Sequence, residues 1–136
     1  MNAIHIEDTI VIPSDLSNIN QIEKLIDNQS SILKFDDEVY GKLLLSVVEA
    51  VNNCIVHGNK SDVKKNVTID YVIDNNYIEY KISDEGKGFD YNSVPDPTLA
   101  ENLEKDCGRG IYLMRHLSDN VEFSNNGSTV TLKFCL

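Results

Sequence analysis

The sequence predicts an α/β fold: a two-layer sandwich of a mixed, largely antiparallel sheet with three helices on one face. Three observations carry this. Two segments, 66–83 and 119–135, alternate with period two around short polar turns. Two others, 14–28 and 36–57, repeat apolar residues at three- and four-residue spacing. The resulting order, β-α-α-β-β-loop-α-β-β, places hairpins and helices so that one layer covers the other.

Residues 3–12 read as a β-branched strand stopped by Pro13. Ser14 or Asp15 is suited to cap the helix that follows, whose apolar positions are Leu16, Ile19, Ile22 and Ile26. Asp36 and Asp37 open a second helix, roughly 36–57, with a stripe of Val39, Leu43, Val47, Val51 and Ile55, widened by Leu44 and Val48 and ended by Gly58. Strands over 66–73 and 77–83 flank the turn Asp74-Asn75-Asn76. Residues 85–107 are loop-rich and acidic, with Pro95 and Pro97. A stretch of that length between two well-formed elements suits a lid, here about 90–108. A third helix starts near Gly108 and buries Ile111 and Met114, and strands over 119–125 and 128–135 close the chain around Asn126-Gly127.

The 136 residues suit a single domain, 1–136. Twelve basic residues against 22 acidic ones give a net charge of −10, which disfavours nucleic acid as a partner. An acidic chain still takes a nucleotide where local backbone N–H groups and a cation hold the phosphates. Cys54, Cys107 and Cys135 are odd in number and lack a CxxC pair, so neither a disulfide framework nor a zinc site is expected. No basic and apolar leader opens the chain, and no unbroken apolar run approaches the ~20 residues of a membrane span. The expected location is the cytoplasm, without a membrane.

Three polar clusters carry the chemistry. Glu49, Asn53 and His57 recur every four residues, so they share one strip of the second helix beside its apolar stripe. Asp84-Glu85-Gly86-Lys87-Gly88-Phe89 follows a strand, with two glycines that permit close backbone approach to a ligand. An aspartate placed there can accept a hydrogen bond from an exocyclic amine. Gly108-Arg109-Gly110 precedes a helix, where free N–H groups and the helix dipole favour an anion. Each has an ordinary structural reading when taken singly: a solvated helix face, a strand-to-loop turn and a glycine-assisted helix start. His57 reads equally well as a helix C-terminal residue next to Gly58.

In this order, E-x-x-x-N-x-x-x-H-G, D-x-G-x-G and G-x-G resemble the GHKL-type (Bergerat fold) ATP-binding domain of gyrase, Hsp90, histidine kinases and MutL. The chain is most similar to its small stand-alone branch, the anti-sigma-factor serine kinases. Segments 46–58, 83–89, 108–114 and 126–132 carry the resemblance, which covers about residues 10–134. It implies a domain that binds ATP and Mg²⁺. Asn53 would ligate the metal and Glu49 would be the general base. Asp84 would hold the adenine amine in a pocket shaped by Gly86 and Gly88. The Gly108-Arg109-Gly110 segment would bind phosphates, and His57, one turn past Asn53, would orient the site of Glu49. Where the family often has threonine after the closing glycine, Ser128 stands, followed by Thr129.

The implied function is transfer of the ATP γ-phosphate to a serine of a small anti-anti-sigma-like protein. A sigma factor would be a further partner, and the chain would be a homodimer. The alternative is a non-catalytic module that uses ATP or ADP only to govern protein binding. A sensor-kinase fragment is disfavoured, because no dimerisation helix with a phospho-accepting histidine precedes residue 14.

Overall fold

Alternation along residues 66–83 builds the centre of the sheet. A computed structural model describes residues 4–88 and 106–136, with the backbone alone for 106–110. The strands are β1 (His5–Pro13), β2 (Asn66–Asp74), β3 (Tyr77–Ser83), β4 (Asn120–Ser124) and β5 (Thr129–Cys135). The helices are α1 (Ile19–Leu33), α2 (Asp37–Asn53) and α3 (Asp106–Leu117). The sheet runs β1-β2-β3-β5-β4. Every described strand pair is antiparallel, which corrects the expectation of a mixed sheet. The reason is the last crossover. Strand β4 runs in the same direction as β3, but β5 returns between them and pairs with both.

The sheet's inner face is apolar because Val67, Ile69, Tyr71 and Ile73 of β2 share a parity, as do Ile78, Tyr80 and Ile82 of β3. All seven are buried, with Val130, Leu132 and Phe134 of β5 beside them. The other face carries Thr9, Asp70, Glu79, Lys81 and Lys133, and none of the described helices covers it. Asp74 turns the β2–β3 hairpin by accepting the Asn76 amide at 2.8 Å. At the other hairpin, Asn125 (φ 51°), Asn126 (φ 58°) and Gly127 (φ 93°) make the turn in left-handed backbone.

Helix α2 packs on α1 and α3 and touches β3 and β5. Leu43, Ser46, Val47, Ala50 and Val51 are its buried positions. The Asp36 carboxylate caps it by accepting the Val39 amide at 2.8 Å. With the turn that follows, it forms a 22-residue helical segment, Asp37–Gly58, long and apolar enough by length and composition to cross a membrane. Lys42, Glu49 and the asparagines hide this in a search for unbroken apolar runs. Its place across the sheet makes it the core helix.

Three boundaries of α1 and α3 differ from the sequence expectation. Asp15 caps a short 3₁₀ turn, Leu16–Asn18, through the Ser17 amide at 3.0 Å, and α1 begins only at Ile19. Leu16 is therefore half exposed rather than in the stripe. Helix α1 extends to Leu33, five residues beyond Asn28, because the buried Gln29 is held by the hydroxyl of Tyr80. Helix α3 begins at Asp106, so Gly108-Arg109-Gly110 forms part of its first turns instead of preceding it. The expected lid, about 90–108, lies almost wholly outside the described residues.

Candidate nucleotide site

The end of α2 is widened before it stops. Cys54–Gly58 forms a π turn, closed by the Asn59 amide on the Cys54 carbonyl at 2.8 Å. A single α-helix to residue 57 is therefore corrected: the last step from Asn53 to His57 runs through the wider turn, and His57 is exposed at its end.

This turn brings Gly58 against the carboxylate of Asp84. A Cβ on Gly58 would stand 2.1 Å from Asp84 Oδ2, and one on Gly86 would stand 2.2 Å from the Gly58 carbonyl oxygen. The two glycines thus let the strand end and helix end interlock without side chains between them. Gly88 has φ +82° and would collide with the Asn126 carbonyl oxygen at 1.9 Å if it carried a Cβ. The second glycine of the D-x-G-x-G run is needed both for its backbone angle and for its contact.

Asp84 is held on several sides. Its amide donates to the Ser128 carbonyl at 2.9 Å, and its Oδ1 accepts the Gly86 amide at 2.8 Å. Burial raises its pKa above the ordinary aspartate value, against the opposing pull of the Gly86 amide, the Cys54 thiol and Lys65. Cys54 is buried beside it, and burial first, then the Asp84 charge, push its thiol well up. The carboxylate remains an acceptor in a mostly apolar setting, where a hydrogen bond from an amine is worth more than in water.

A cavity of about 160 Å³ opens at this point. Asn53, His57, Asp84, Gly88 and Ser128 line it among the expected residues. Ala50, Met114, Phe123 and Val130 give it apolar walls suited to a flat ring. Cys54 and Lys60 also line it, a role that the sequence does not announce. Their signal was weak: a cysteine on an apolar stripe reads as core, and a lysine after a helix reads as surface.

Asn53 Oδ1 is buried and accepts no hydrogen bond from any described residue. An orphaned carbonyl oxygen in a cavity wall fits a hard cation such as Mg²⁺. Among the described residues no group of three or more His, Cys, Asp or Glu is gathered that could form an all-protein cage. Asn53 is thus suited to a metal held by one protein oxygen together with phosphates and water.

Three expected residues do not belong to the lining. Glu49 is half-buried one turn before Asn53. Gly86 supports Asp84 from behind through its amide. Thr129 is buried and occupied, accepting from Asn125 Nδ2 at 3.0 Å and donating to Ser83 Oγ at 3.1 Å. Ser128 turns its hydroxyl to the Asn125 carbonyl at 2.8 Å. Gly108, Arg109 and Gly110 lie in the first turns of α3, where backbone amides have no partner within the helix.

Comparison with known proteins places the chain in a family. The chain is 26% identical over 138 residues to the serine-protein kinase RsbW of Bacillus subtilis (strain 168), covering 96% of this chain and 85% of that protein. It is 34% identical over 89 residues to the anti-sigma F factor of Thermoanaerobacter sp. (strain X514), covering 64% of this chain and 62% of that one. Its fold superposes on a crystal structure of the RsbU and RsbW domains of a Mycobacterium tuberculosis protein with a TM-score of 0.65, at 11% identity, over 96% of this chain and 32% of the other. The model of the histidine kinase-like ATPase domain matches residues 12–134. That span runs from the end of β1 to the penultimate residue of β5 and takes in the whole cavity, so the chain belongs to the histidine kinase-like ATPase domain family.

Proposed function

We propose that the chain is an ATP-dependent protein serine kinase of the anti-sigma-factor type. The observation that carries the reading is the pairing of Asp84 and Asn53 in one apolar-walled cavity. One is a buried carboxylate at a strand end, and the other offers a buried, unpartnered carbonyl oxygen. The first suits the exocyclic amine of adenine, and the second suits Mg²⁺. The relatives named as serine-protein kinase and anti-sigma factor support the same reading.

The residues divide the work. Asp84 accepts a hydrogen bond from the adenine amine. The apolar walls around Met114, Phe123 and Val130 hold the ring. Asn53 holds Mg²⁺, which supplies charge neutralisation at the phosphates when bound. The first amides of α3, with Gly108, Arg109 and Gly110, take the phosphate oxygens. Glu49 removes the proton from the substrate serine hydroxyl as its oxygen bonds to the γ-phosphorus and ADP departs. His57, at the cavity mouth, and Ser128 border the nucleotide, with Gly86, Gly88 and Thr129 shaping and bracing the base end.

The phosphate acceptor is a small anti-anti-sigma-like protein, and a sigma factor is the second partner. The chain works in the cytoplasm as a homodimer. The open edge of β1 at one end of the sheet is a suitable place for a second copy. Light scattering at tens of micromolar should return the mass of two chains; a monomer mass rejects the dimer.

The decisive experiment captures partners on the immobilised chain with ADP and with ATP, identifies them, and incubates each with γ-labelled ATP, Mg²⁺ and the chain. Label on a serine of a captured protein is expected. Nucleotide-dependent capture with no label transferred would establish the alternative, a non-catalytic binding module.

A further inference from the structure

We infer that Asn59 is a positioning residue for the base end of the nucleotide site: its buried carboxamide ties the Asp84–Gly86 turn to the end of the α2 π turn and so sets adenine recognition. The inference rests on the reading of Asp84 as the acceptor for the adenine amine.

Asn59 is fully buried, yet every polar group of its side chain is used. Its Nδ2 donates to Ser14 Oγ at 2.8 Å and to the Asn66 carbonyl at 3.0 Å. Its Oδ1 accepts the amide of Glu85 at 2.8 Å. The orientation is determined by the partners. Ser14 Oγ spends its own proton on the Lys65 carbonyl at 2.7 Å and is left as an acceptor, and the Asn66 carbonyl can only accept. The amide nitrogen must face both, so the oxygen must face Glu85.

These bonds have different jobs. Those to Ser14 and Asn66 join the exit of β1 to the entry of β2. The bond to Glu85 acts on the site. Asp84 is gripped through its own amide by Ser128, and the next amide in the chain is gripped by Asn59. Asn59 in turn follows Gly58, which packs on the Asp84 carboxylate, and its own backbone amide closes the π turn. One residue therefore fixes the strand end relative to the helix end. Without the carboxamide, the Glu85 amide loses its partner, and the turn that carries the carboxylate loses one of the bonds that direct it. Asn53 and α3, at the phosphate end, make no contact with this carboxamide among the hydrogen bonds described.

The test is discrimination between ADP and inosine diphosphate, whose base carries a carbonyl where adenine carries the amine. A ratio of two affinities is insensitive to the fraction of chain folded. Calorimetry with Mg²⁺ on the parental full chain should give a clear preference for ADP. Asn59→Ala should reduce that preference by about tenfold, the loss of one hydrogen bond to a charged group. Ser14→Ala, which removes a partner of Asn59 but leaves the Glu85 bond, should melt earlier and keep the parental ratio. An Asn59→Ala chain with the parental ratio overturns the inference, as does a Ser14→Ala chain whose ratio collapses equally. If Asn59→Ala does not fold, the parental chain decides by nuclear magnetic resonance. The Asn59 carboxamide and Glu85 amide signals should shift with ADP and much less with inosine diphosphate, and equal shifts overturn the inference. A parental chain that binds both diphosphates equally removes the Asp84 reading itself, and the inference falls with it; a parental chain that discriminates while Asn59→Ala does so too removes only the inference.

Discussion

Gly58 and the carboxylate of Asp84 meet so closely that a Cβ on the glycine would stand 2.1 Å from Oδ2 and 2.3 Å from Cγ. The carboxylate proposed to recognise the base is thus packed against the last residue of the helical segment that carries Asn53. Gly58→Ala should push the Asp84 side chain out of the cavity. ADP affinity should fall tenfold or more, of order ~1.4 kcal/mol per decade, with a smaller loss of thermal stability. Calorimetry and a melt on one preparation check both.

Asp84 itself should show opposed effects on stability and binding. Burial raises its pKa above the ordinary 3.8, so the folded chain holds this proton more tightly than the unfolded chain. Its favourable contribution is complete below the unfolded value and is lost as pH rises through the raised one. At neutral pH the buried charge costs stability. Asp84→Asn should therefore melt later than the parent at pH 7 and lose that advantage in acid. The same change should weaken ADP binding by ~1.5–3 kcal/mol, the worth of a hydrogen bond to a charged group. In the parent, ADP affinity should fall on acidification at a pH above that of an ordinary aspartate. A titration of ADP affinity against pH for both chains checks the sign.

Spacing made part of the site legible and left part hidden. Asn53 and Asp84 were readable because their neighbours are close in sequence: a four-residue helical step in one case, and a strand followed by D-x-G-x-G in the other. Asn59 was not, because its partners Ser14 and Glu85 are 45 and 26 residues away. Nothing local distinguishes it from a polar residue after a helix. The π turn was hidden for a different reason. Val51 and Ile55 are both buried, so the apolar stripe continues across a change in hydrogen bonding. The strands were legible from alternation, but the wholly antiparallel order depends on β5 inserting between β3 and β4, which periodicity does not encode.

A buried polar pair should reveal itself in stability alone. The Tyr80 hydroxyl donates to Gln29 Oε1, and both side chains are buried beneath α1. Burial also pushes the Tyr80 phenol far above its usual range, so it stays protonated. Tyr80→Phe should cost ~1–3 kcal/mol, because Gln29 is left without its partner. The double change Tyr80→Phe with Gln29→Leu should recover much of that loss, since both polar groups are then gone. Urea denaturation of the two variants and the parent checks the cycle, with ADP affinity unchanged throughout.

The described cysteines should differ sharply toward alkylating reagents. Cys54 is buried in the cavity wall with its thiol pushed well up by burial and the neighbouring Asp84, whereas Cys135 is exposed. The thiolate is the reactive form, so Cys135 should label within the time that leaves Cys54 intact at pH 8. ADP with Mg²⁺ should slow Cys54 further, because Cys54 lines the cavity that the nucleotide would fill. Peptide mass spectrometry over a labelling time course checks both rates.

Glu49 should separate catalysis from binding. It is half-buried one helical turn before Asn53, on the same strip of α2 and outside the lining around Asp84. Glu49→Ala should lower phosphate transfer by ~10²–10⁴, the usual loss for a positioned base. ADP affinity should stay close to the parental value, since the base end is untouched. Asn53→Ala should instead lose both, because the oxygen it removes is the one suited to the metal that the phosphates share. An early melt together with lost ADP binding would mark Glu49 as a structural partner of its neighbours. A parental transfer rate would mark it as a surface charge. Transfer rate, melting temperature and ADP affinity on one preparation distinguish the three roles. Only the first outcome, slow transfer on a folded chain that binds ADP normally, assigns the proton acceptor to Glu49.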